Sequence, residues 1–160
     1  MPSPYSRCRP FPVGRTPVAT LAAAAAAIVT MTGCGLLAAQ SDVLNLDVGD
    51  CIADQNLQGE ISDIELVHCE DPHFFEVYAV RELPDGPYPG DQHIATEADE
   101  FCYTEFAPFI GNDYETSVIE FDHLTPTEQS WDRVNDRDLV CLAFELDGSQ
   151  VEGTLQNANR

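Results

Sequence analysis

Hydrophobic and polar positions follow two different periods along this chain, and the change of period marks the predicted elements. From Ile94 to Phe109 the apolar residues recur at intervals close to 3.6, with acidic residues between them. This spacing predicts an amphipathic helix over about 94–109, which Pro108 and Gly111 would end. Four other stretches are rich in β-branched and aromatic residues, which predicts strands: residues 43–52, 61–69, 74–80 and 139–146.

Local signals predict a second, short helix. Thr125 can serve as N-cap, Pro126 as the first helical residue and Glu128 as the acid at N3, so we expect a helix over about 126–133. Residues 84–90 are rich in proline and glycine and predict a loop. The helix and strand signals together predict an α+β fold, in which a small, mostly antiparallel sheet packs with one amphipathic and one short helix.

The C-terminal part predicts one further strand pair. Asp147 and Gly148 form a turn signal, and residues 151–155 would then pair back on the preceding strand as a hairpin.

The N-terminal pattern is typical of an export signal. Residues 1–17 carry three arginines and no acid, residues 18–31 are apolar and rich in alanine, and Met-Thr-Gly-Cys follows, ending at Cys34. The small residues before Cys34 resemble a bacterial lipobox, whose cysteine receives a diacylglyceryl group. We therefore expect a signal peptide over 1–33 and a short tether over 34–46 that begins with the lipidated Cys34.

An uncleaved membrane helix is the alternative interpretation of the same region. Residues 18–40 contain no charge and are long enough to span a bilayer, although the many alanines make such a helix weakly apolar. Both interpretations place the rest of the chain outside the cytoplasm, because the arginines precede the apolar run. The expected location is the extracytoplasmic face of the cell membrane, with a lipid anchor.

Charge narrows the possible partners. Four arginines and 28 acids remain after residue 33, a formal net charge of −24, and the chain contains no lysine. Nucleic acids and anionic lipid surfaces are bound chiefly through basic side chains, so this charge repels both, and we exclude nucleic acid as a partner. The remaining 127 residues are enough for one domain. The expected partners are the membrane, through the lipid, and a protein of the envelope.

The cysteines predict a covalent framework. Cys51, Cys69, Cys102 and Cys141 remain once the signal peptide is removed and Cys34 is lipidated. An even number of cysteines in an oxidising compartment predicts two disulfides. Of the three possible connectivities we favour Cys51–Cys69 with Cys102–Cys141, which keeps both loops short. A zinc site is the alternative, but the spacings lack the C-x-x-C pairs of zinc ribbons.

The stretch V-H-C-E-D-P-H-F-F-E-V-Y-A-V, residues 67–80, has the density of ionisable side chains of a metal site. His68 and His73 could share a metal across the Asp71-Pro72 turn. If Cys69 forms a disulfide, however, no thiolate ligand is left. We then expect a proline turn between strands, with the ring of His73 hydrogen-bonded to backbone or to a carboxylate.

The strand after this turn predicts an interaction surface. Alternation places Phe75, Val77 and Ala79 inward and exposes Glu76 between Phe74 and Tyr78. The candidate surface has four members: His73, Phe74, Glu76 and Tyr78.

No catalytic signature was found. The serines lie in no G-x-S-x-G motif, the acids form no EF-hand loop, and 28 acids make any chosen carboxylate pair uninformative. We expect a non-catalytic protein without a cofactor. The alternatives are a secreted envelope hydrolase and a divalent-cation-binding module.

Four separated stretches resemble the septum formation-related domain of actinobacterial envelope proteins. They are V-G-D-C-I at 48–52, C-E-D-P-H-x-x-E-V-Y-A at 69–79, L-P-D-G-P-Y-P-G at 83–90 and S-W-D-R-x-x-D-R-x-x-x-C at 130–141. The resemblance implies this domain over 47–156, with a tail at 157–160. It also implies an exported or membrane-anchored protein linked to cell division, without known chemistry. Phe74 and Phe75 depart from the smaller or polar residues expected there.

Overall fold

The structure, a computed structural model, describes residues 39–42, 45–57 and 63–160. The predicted signal peptide and Cys34 lie outside these residues. Six strands and two α-helices follow in chain order, and a 3₁₀ turn, Tyr114–Thr116, lies between α1 and β5. The elements are β1 (Ala39–Asp42), β2 (Cys51–Ile52), β3 (Asp63–Val67), β4 (Phe75–Glu82), α1 (Asp91–Ile110), β5 (Ile119–Leu124), α2 (Glu128–Val134) and β6 (Asp138–Glu145).

The strands form one antiparallel sheet in the order β1-β3-β2-β4-β6-β5. The two long apolar strands, β4 and β6, lie at its centre, and α1 contacts β4, β6 and β5. The predicted α+β fold with a mostly antiparallel sheet is confirmed. The pattern did not predict β1 or β5.

Helix α1 presents its apolar residues to the sheet as predicted. It begins at Asp91, three residues before the expected start; Gly90 is the N-cap, and its carbonyl accepts a hydrogen bond from the N–H of Ile94 at 3.1 Å. It continues through Pro108 and ends at Gly111, whose φ of 83° is the left-handed conformation common at helix ends. Among the described residues, no helix has the length and apolarity that crossing a bilayer requires.

The start of α2 differs from the prediction by two residues. Thr127, rather than Thr125, is the N-cap, since its side chain accepts a hydrogen bond from the backbone N–H of Ser130 at 3.0 Å. The hydroxyl of Ser130 in turn accepts from the N–H of Thr127 at 2.9 Å. A serine therefore occupies the N3 position that we assigned to Glu128.

Both predicted disulfides are confirmed. Cys102–Cys141 joins the buried face of α1 to β6, and Cys51–Cys69 joins β2 to the turn after β3. The first bridge is fully enclosed, because both of its cysteines are buried in the core beside Phe106. The disulfides therefore tie the helix to the sheet and fix the turn before β4.

The C-terminal segment does not form the predicted hairpin. Strand β6 already pairs with β4 on one side and β5 on the other, so neither edge is free. Val151 instead forms an isolated antiparallel bridge with His73. The chain then reaches the end of α1, where the N–H groups of Asn157 and Asn159 donate to the carbonyls of Phe109 and Ile110.

Candidate functional site

The predicted surface before and within β4 lies inside the protein. The exposed fractions are 0% for His73, 1% for Glu76 and 3% for Tyr78, and Phe74 is half-buried. The prediction that these four residues form an exposed surface is wrong. Strand β4 is buried on both faces, and its pairing with β6 shifts register between Val77 and Ala79, so simple alternation fails.

Glu76 anchors the C-terminal segment. One carboxylate oxygen accepts from the Thr154 hydroxyl at 2.6 Å, and the other accepts from the backbone N–H of Leu155 at 2.5 Å. A buried carboxylate is costly unless donors satisfy it. Here the donors come from a segment almost 80 residues away in sequence, so Glu76 links β4 to the C-terminal segment. We call these contacts the C-terminal clamp.

His73 belongs to the same clamp. Its backbone N–H and C=O both pair with Val151, at 3.0 and 2.9 Å. The ring Nδ1 lies 2.8 Å from the carbonyl oxygen of Asp71, which requires Nδ1 to carry the proton and donate. Nε2 is buried and has no hydrogen-bond partner within the described part of the chain. The ring therefore stabilises the proline turn, as expected from a histidine bonded to backbone.

The geometry does not favour a metal in this region. Cys51, Cys69 and Glu76 bring one potential ligand atom each within 4.8 Å of one another. The two sulfurs are bonded to each other, however, and metals bind thiolates. His68 is exposed and is not part of that group. The three potential ligands in this group, the two cysteines and Glu76, are therefore engaged by the fold itself.

Tyr78 connects the sheet to α1. Its hydroxyl donates to the backbone carbonyl of Cys102 at 2.7 Å, and its ring packs edge-on against Phe106. Burial raises the pKa of the Tyr78 hydroxyl, with a further contribution from the negative charge of Glu105. The tyrosine therefore remains a neutral donor that holds the helix on the sheet.

Two stretches that carry the family resemblance meet in a cluster around Trp131. The indole Nε1 donates to the carbonyl of Gly86 at 2.9 Å, and the ring of Tyr88 packs edge-on against the indole. Burial and a hydrogen bond to Asp91 raise the pKa of Tyr88 to about 12. Helix α2 thus holds the loop over residues 84–90 in a fixed conformation.

Arg137 is the third side chain of this tryptophan cluster and packs against the face of the Trp131 indole. Its guanidinium carbon lies 3.7 Å from the indole centroid, and Nη1 donates to the carbonyls of Trp131 and Asp136 at 3.0 and 2.7 Å. Nε lies 3.6 Å from a carboxylate oxygen of Asp85, too far for a hydrogen bond but close enough for charge attraction. Only 8% of the Arg137 side chain is exposed, so we assign the cluster a structural role.

An open groove runs beside the polar face of α1 and has a volume of about 790 Å³. Its lining combines three carboxylates, two threonines, one aromatic ring, one arginine and one histidine. Its lining residues are Arg81, His93, Thr96, Glu97, Glu100, Phe101, Thr104 and Glu105.

One wall of this groove contains a positively charged side chain of the protein itself, Arg81. The guanidinium of Arg81 lies 4.4 Å from the ring centroid of Phe101 and donates to Glu97 at 3.0 Å. The exposed fractions of the Arg81 and Glu97 side chains are 39% and 37%, so this ion pair is in contact with solvent.

Elsewhere beside α1, the acids of the neighbouring 3₁₀ turn and of β5 are hydrogen-bonded to tyrosines. The hydroxyl of Tyr103 donates to Glu115, and that of Tyr114 donates to Glu120 at 2.6 Å. The second hydrogen bond raises the pKa of Tyr114 to about 12. Among the acidic side chains of α1, Asp91, Glu97 and Asp99 have partners, whereas Glu100 and Glu105, which line the groove, have none among the described residues.

Sequence reasoning missed the groove and the tryptophan cluster. Most groove residues occupy the polar face of the predicted helix, to which we assigned no function. The cluster could have been suspected, since L-P-D-G-P-Y-P-G and S-W-D-R-x-x-D-R were the stretches that carried the resemblance. Cys34 and its expected lipid lie outside the described residues.

Comparison with known proteins identifies relatives among mycobacterial proteins. The chain is 29% identical over 117 residues to proteins named "Putative lipoprotein LppN" from Mycobacterium bovis and Mycobacterium tuberculosis. The match covers 69% of this chain and 62% of each relative, so the chain spans about three-fifths of their length. No solved structure matches the chain.

The family comparison covers nearly all of the described domain. Residues 48–159 match the family described as Septum formation. The match begins before β2 and ends at the segment that Glu76 clamps, so it includes both disulfides, the tryptophan cluster and the groove. Since it spans more than half of the chain, this protein belongs to the Septum formation family.

Proposed function

We propose that this protein is an exported lipoprotein whose domain binds a protein partner at the extracytoplasmic face of the membrane without catalysing a reaction. One observation carries the proposal. The side chains that looked reactive, around Glu76 and the Cys51–Cys69 bridge, are engaged by the fold, whereas the groove beside α1 offers unengaged polar groups to solvent.

The location is supported by the cysteines and by the relatives. Two disulfides within one small domain favour an oxidising compartment. The mycobacterial relatives carry the word lipoprotein in their names. Cys34 follows an apolar run at the position expected of a lipidated cysteine. Two acyl chains at Cys34 would anchor the domain stably, since a single chain gives only marginal binding.

A role in septum formation is the finer part of the proposal. It rests on the family to which the chain belongs. An acidic domain held at the membrane surface is suited to recruiting a protein, because its field repels nucleic acid and anionic lipid. We propose that its partner is a protein of the division site.

The lipid anchor is tested by replacing Cys34 with alanine in the full-length protein. We expect the Cys34→Ala protein to accumulate as precursor or to leave the detergent phase on phase separation with a cloud-point detergent. Cys8→Ala is the matched control, since Cys8 lies in the predicted signal peptide and should not change partitioning. A Cys34→Ala product of mature size that still enters the detergent phase would contradict the anchor.

Binding is tested by photocrosslinking in cells. A crosslinking amino acid is placed at four exposed positions that sample different parts of the surface: Glu70, Glu100, Asp132 and Asp147. We expect a covalent adduct with a protein from at least one position. Absence of any protein adduct from all four positions, with each variant correctly localised, would refute the interaction function.

A further inference from the structure

We propose that the groove beside α1 binds a segment of a partner protein rich in arginine or lysine. This inference rests on the proposed function and names the chemical class of its partner. The site is the concave surface described above, with Phe101 in its wall and the carboxylates of Glu100 and Glu105 along it.

The unpaired hydrogen-bonding groups of the groove are acceptors, so they favour a ligand that donates hydrogen bonds. The hydroxyls of Thr96 and Thr104 donate to carbonyls of their own helix, at 2.9 and 2.8 Å, so they offer little to a ligand. Within residues 45–57 and 64–160, the Glu100 and Glu105 carboxylates have no ion-pair or hydrogen-bond partner. An ionised carboxylate only accepts hydrogen bonds, so its complement is a donor that carries positive charge.

The wall of the groove shows which cation fits. The guanidinium of Arg81 lies over the ring of Phe101 while its nitrogen bonds Glu97. An aromatic face beside a carboxylate stabilises a planar cation by ring attraction and hydrogen bonding together. A cationic side chain of the partner that lies along the same surface would pair with Glu100 or Glu105, as Arg81 pairs with Glu97.

The charge of the whole domain favours the same occupant over the alternatives. The net charge after residue 33 is −24, so a second copy of this chain or an anionic lipid surface would be repelled. A cationic protein segment would be attracted at long range and then held by the groove. The long-range attraction must weaken as salt rises, because exposed charges are screened over about 10 Å at 0.1 M ionic strength.

The test is a titration of the full-length protein, purified in detergent, with a labelled peptide of six arginines followed by fluorescence anisotropy. We compare Glu100→Gln/Glu105→Gln with Glu70→Gln/Glu152→Gln. Glu70 and Glu152 are exposed, are not among the residues that line the groove, and are neighbours in sequence of Cys69 and Gly153, which are hydrogen-bonded to each other, so the control removes the same charge from outside the groove. Melting temperatures check that both variants remain folded.

We expect the groove variant to bind the peptide about fivefold more weakly and the control to stay within about twofold of the unmodified protein. A peptide of six glutamines should not bind. Equal losses in both variants would show attraction to the general field and overturn the groove assignment, as would no binding of the arginine peptide at low salt. In cells, protein adducts from Glu70, Asp132 or Asp147 but not from Glu100 would also overturn this site, while leaving the proposed function intact.

Discussion

Two acidic regions of this protein differ in how their carboxylates are satisfied. At the start of β4, Glu76 is buried and accepts hydrogen bonds from Thr154 and Leu155. On the polar face of α1, Glu100 and Glu105 border an open groove. The first acid is part of the fold because the chain itself supplies its donors. The second pair has no donor among the described residues, and we propose that a ligand supplies one.

This difference decides how a cluster of ionisable residues should be interpreted. Residues 67–80 attract attention by their density in sequence, yet their polar atoms are used to fix a turn and a C-terminal segment. The groove residues are spaced along a helix and look ordinary. Chemical availability depends on the donors that the tertiary structure supplies, and those donors are distant in sequence.

The largest expected effect comes from removing the bridge that positions α1. Replacing Cys102 and Cys141 together by alanine opens a loop of sequence separation 39. Chain entropy then predicts a loss of about 4 kcal/mol in the free energy of unfolding, against about 3 kcal/mol for the Cys51/Cys69 pair. Denaturant titration of both double variants measures the difference. A smaller loss for Cys102/Cys141 than for Cys51/Cys69 would contradict the view that α1 depends on its covalent tie.

The comparison itself is tested by one substitution made in both regions. Glu76→Gln replaces one acceptor oxygen by an NH₂ group that faces a donor, so we expect the free energy of unfolding to fall by about 3 kcal/mol. Glu100→Gln should change it by less than about 0.5 kcal/mol, since no described residue donates to that carboxylate. Urea denaturation measures both values. Similar losses would remove the distinction between a clamped and an open acid.

Local sequence patterns predicted those elements whose signals are local. The apolar period of α1 gave its buried face and the position of Cys102, and short loops favoured the correct disulfides. The boundaries were less accurate because caps are decided by single hydrogen bonds, as Thr127 and Ser130 show at α2.

The parts that could not be predicted depend on long-range partners. Nothing near Glu76 in sequence indicates that Leu155 will donate to it. The failed hairpin has the same cause, because the occupied edges of β6 become visible only when all strands are placed. Strand β5 alternates apolar and polar residues over only four positions, Ile119 to Asp122, before His123 breaks the pattern, and α1 covers it. The expected exposure of Tyr78 failed because the register shift in β4 is set by pairing, not by composition.

Arg137 extends the comparison of buried and open charges to a cation, because its guanidinium is enclosed by the fold as the carboxylate of Glu76 is. Arg137→Ala removes its contact with Trp131 and leaves the carbonyls of Trp131 and Asp136 without that donor. We expect a loss of about 2 kcal/mol in the free energy of unfolding. The chain has a single tryptophan, so its fluorescence reports the cluster directly. Arg137→Lys should recover less than half of the loss, because lysine lacks the planar group; full recovery would show that charge alone matters.

The smallest expected effect concerns Asp138, an acid that is partly buried beside other acids. Partial burial raises the pKa of Asp138, and the charges of Asp136 and Glu82 raise it further. Because the folded-state pKa lies above the unfolded one, ionisation of Asp138 costs stability, and this loss develops as pH rises through the raised pKa. Asp138→Asn should therefore stabilise the protein by about 0.5 kcal/mol at pH 7, and the gain should vanish at pH 3. Thermal melts at both pH values measure it, with Asp132→Asn on the exposed side of α2 as control. An equal gain at pH 3 and pH 7 would mean that packing, rather than repulsion between carboxylates, sets the effect.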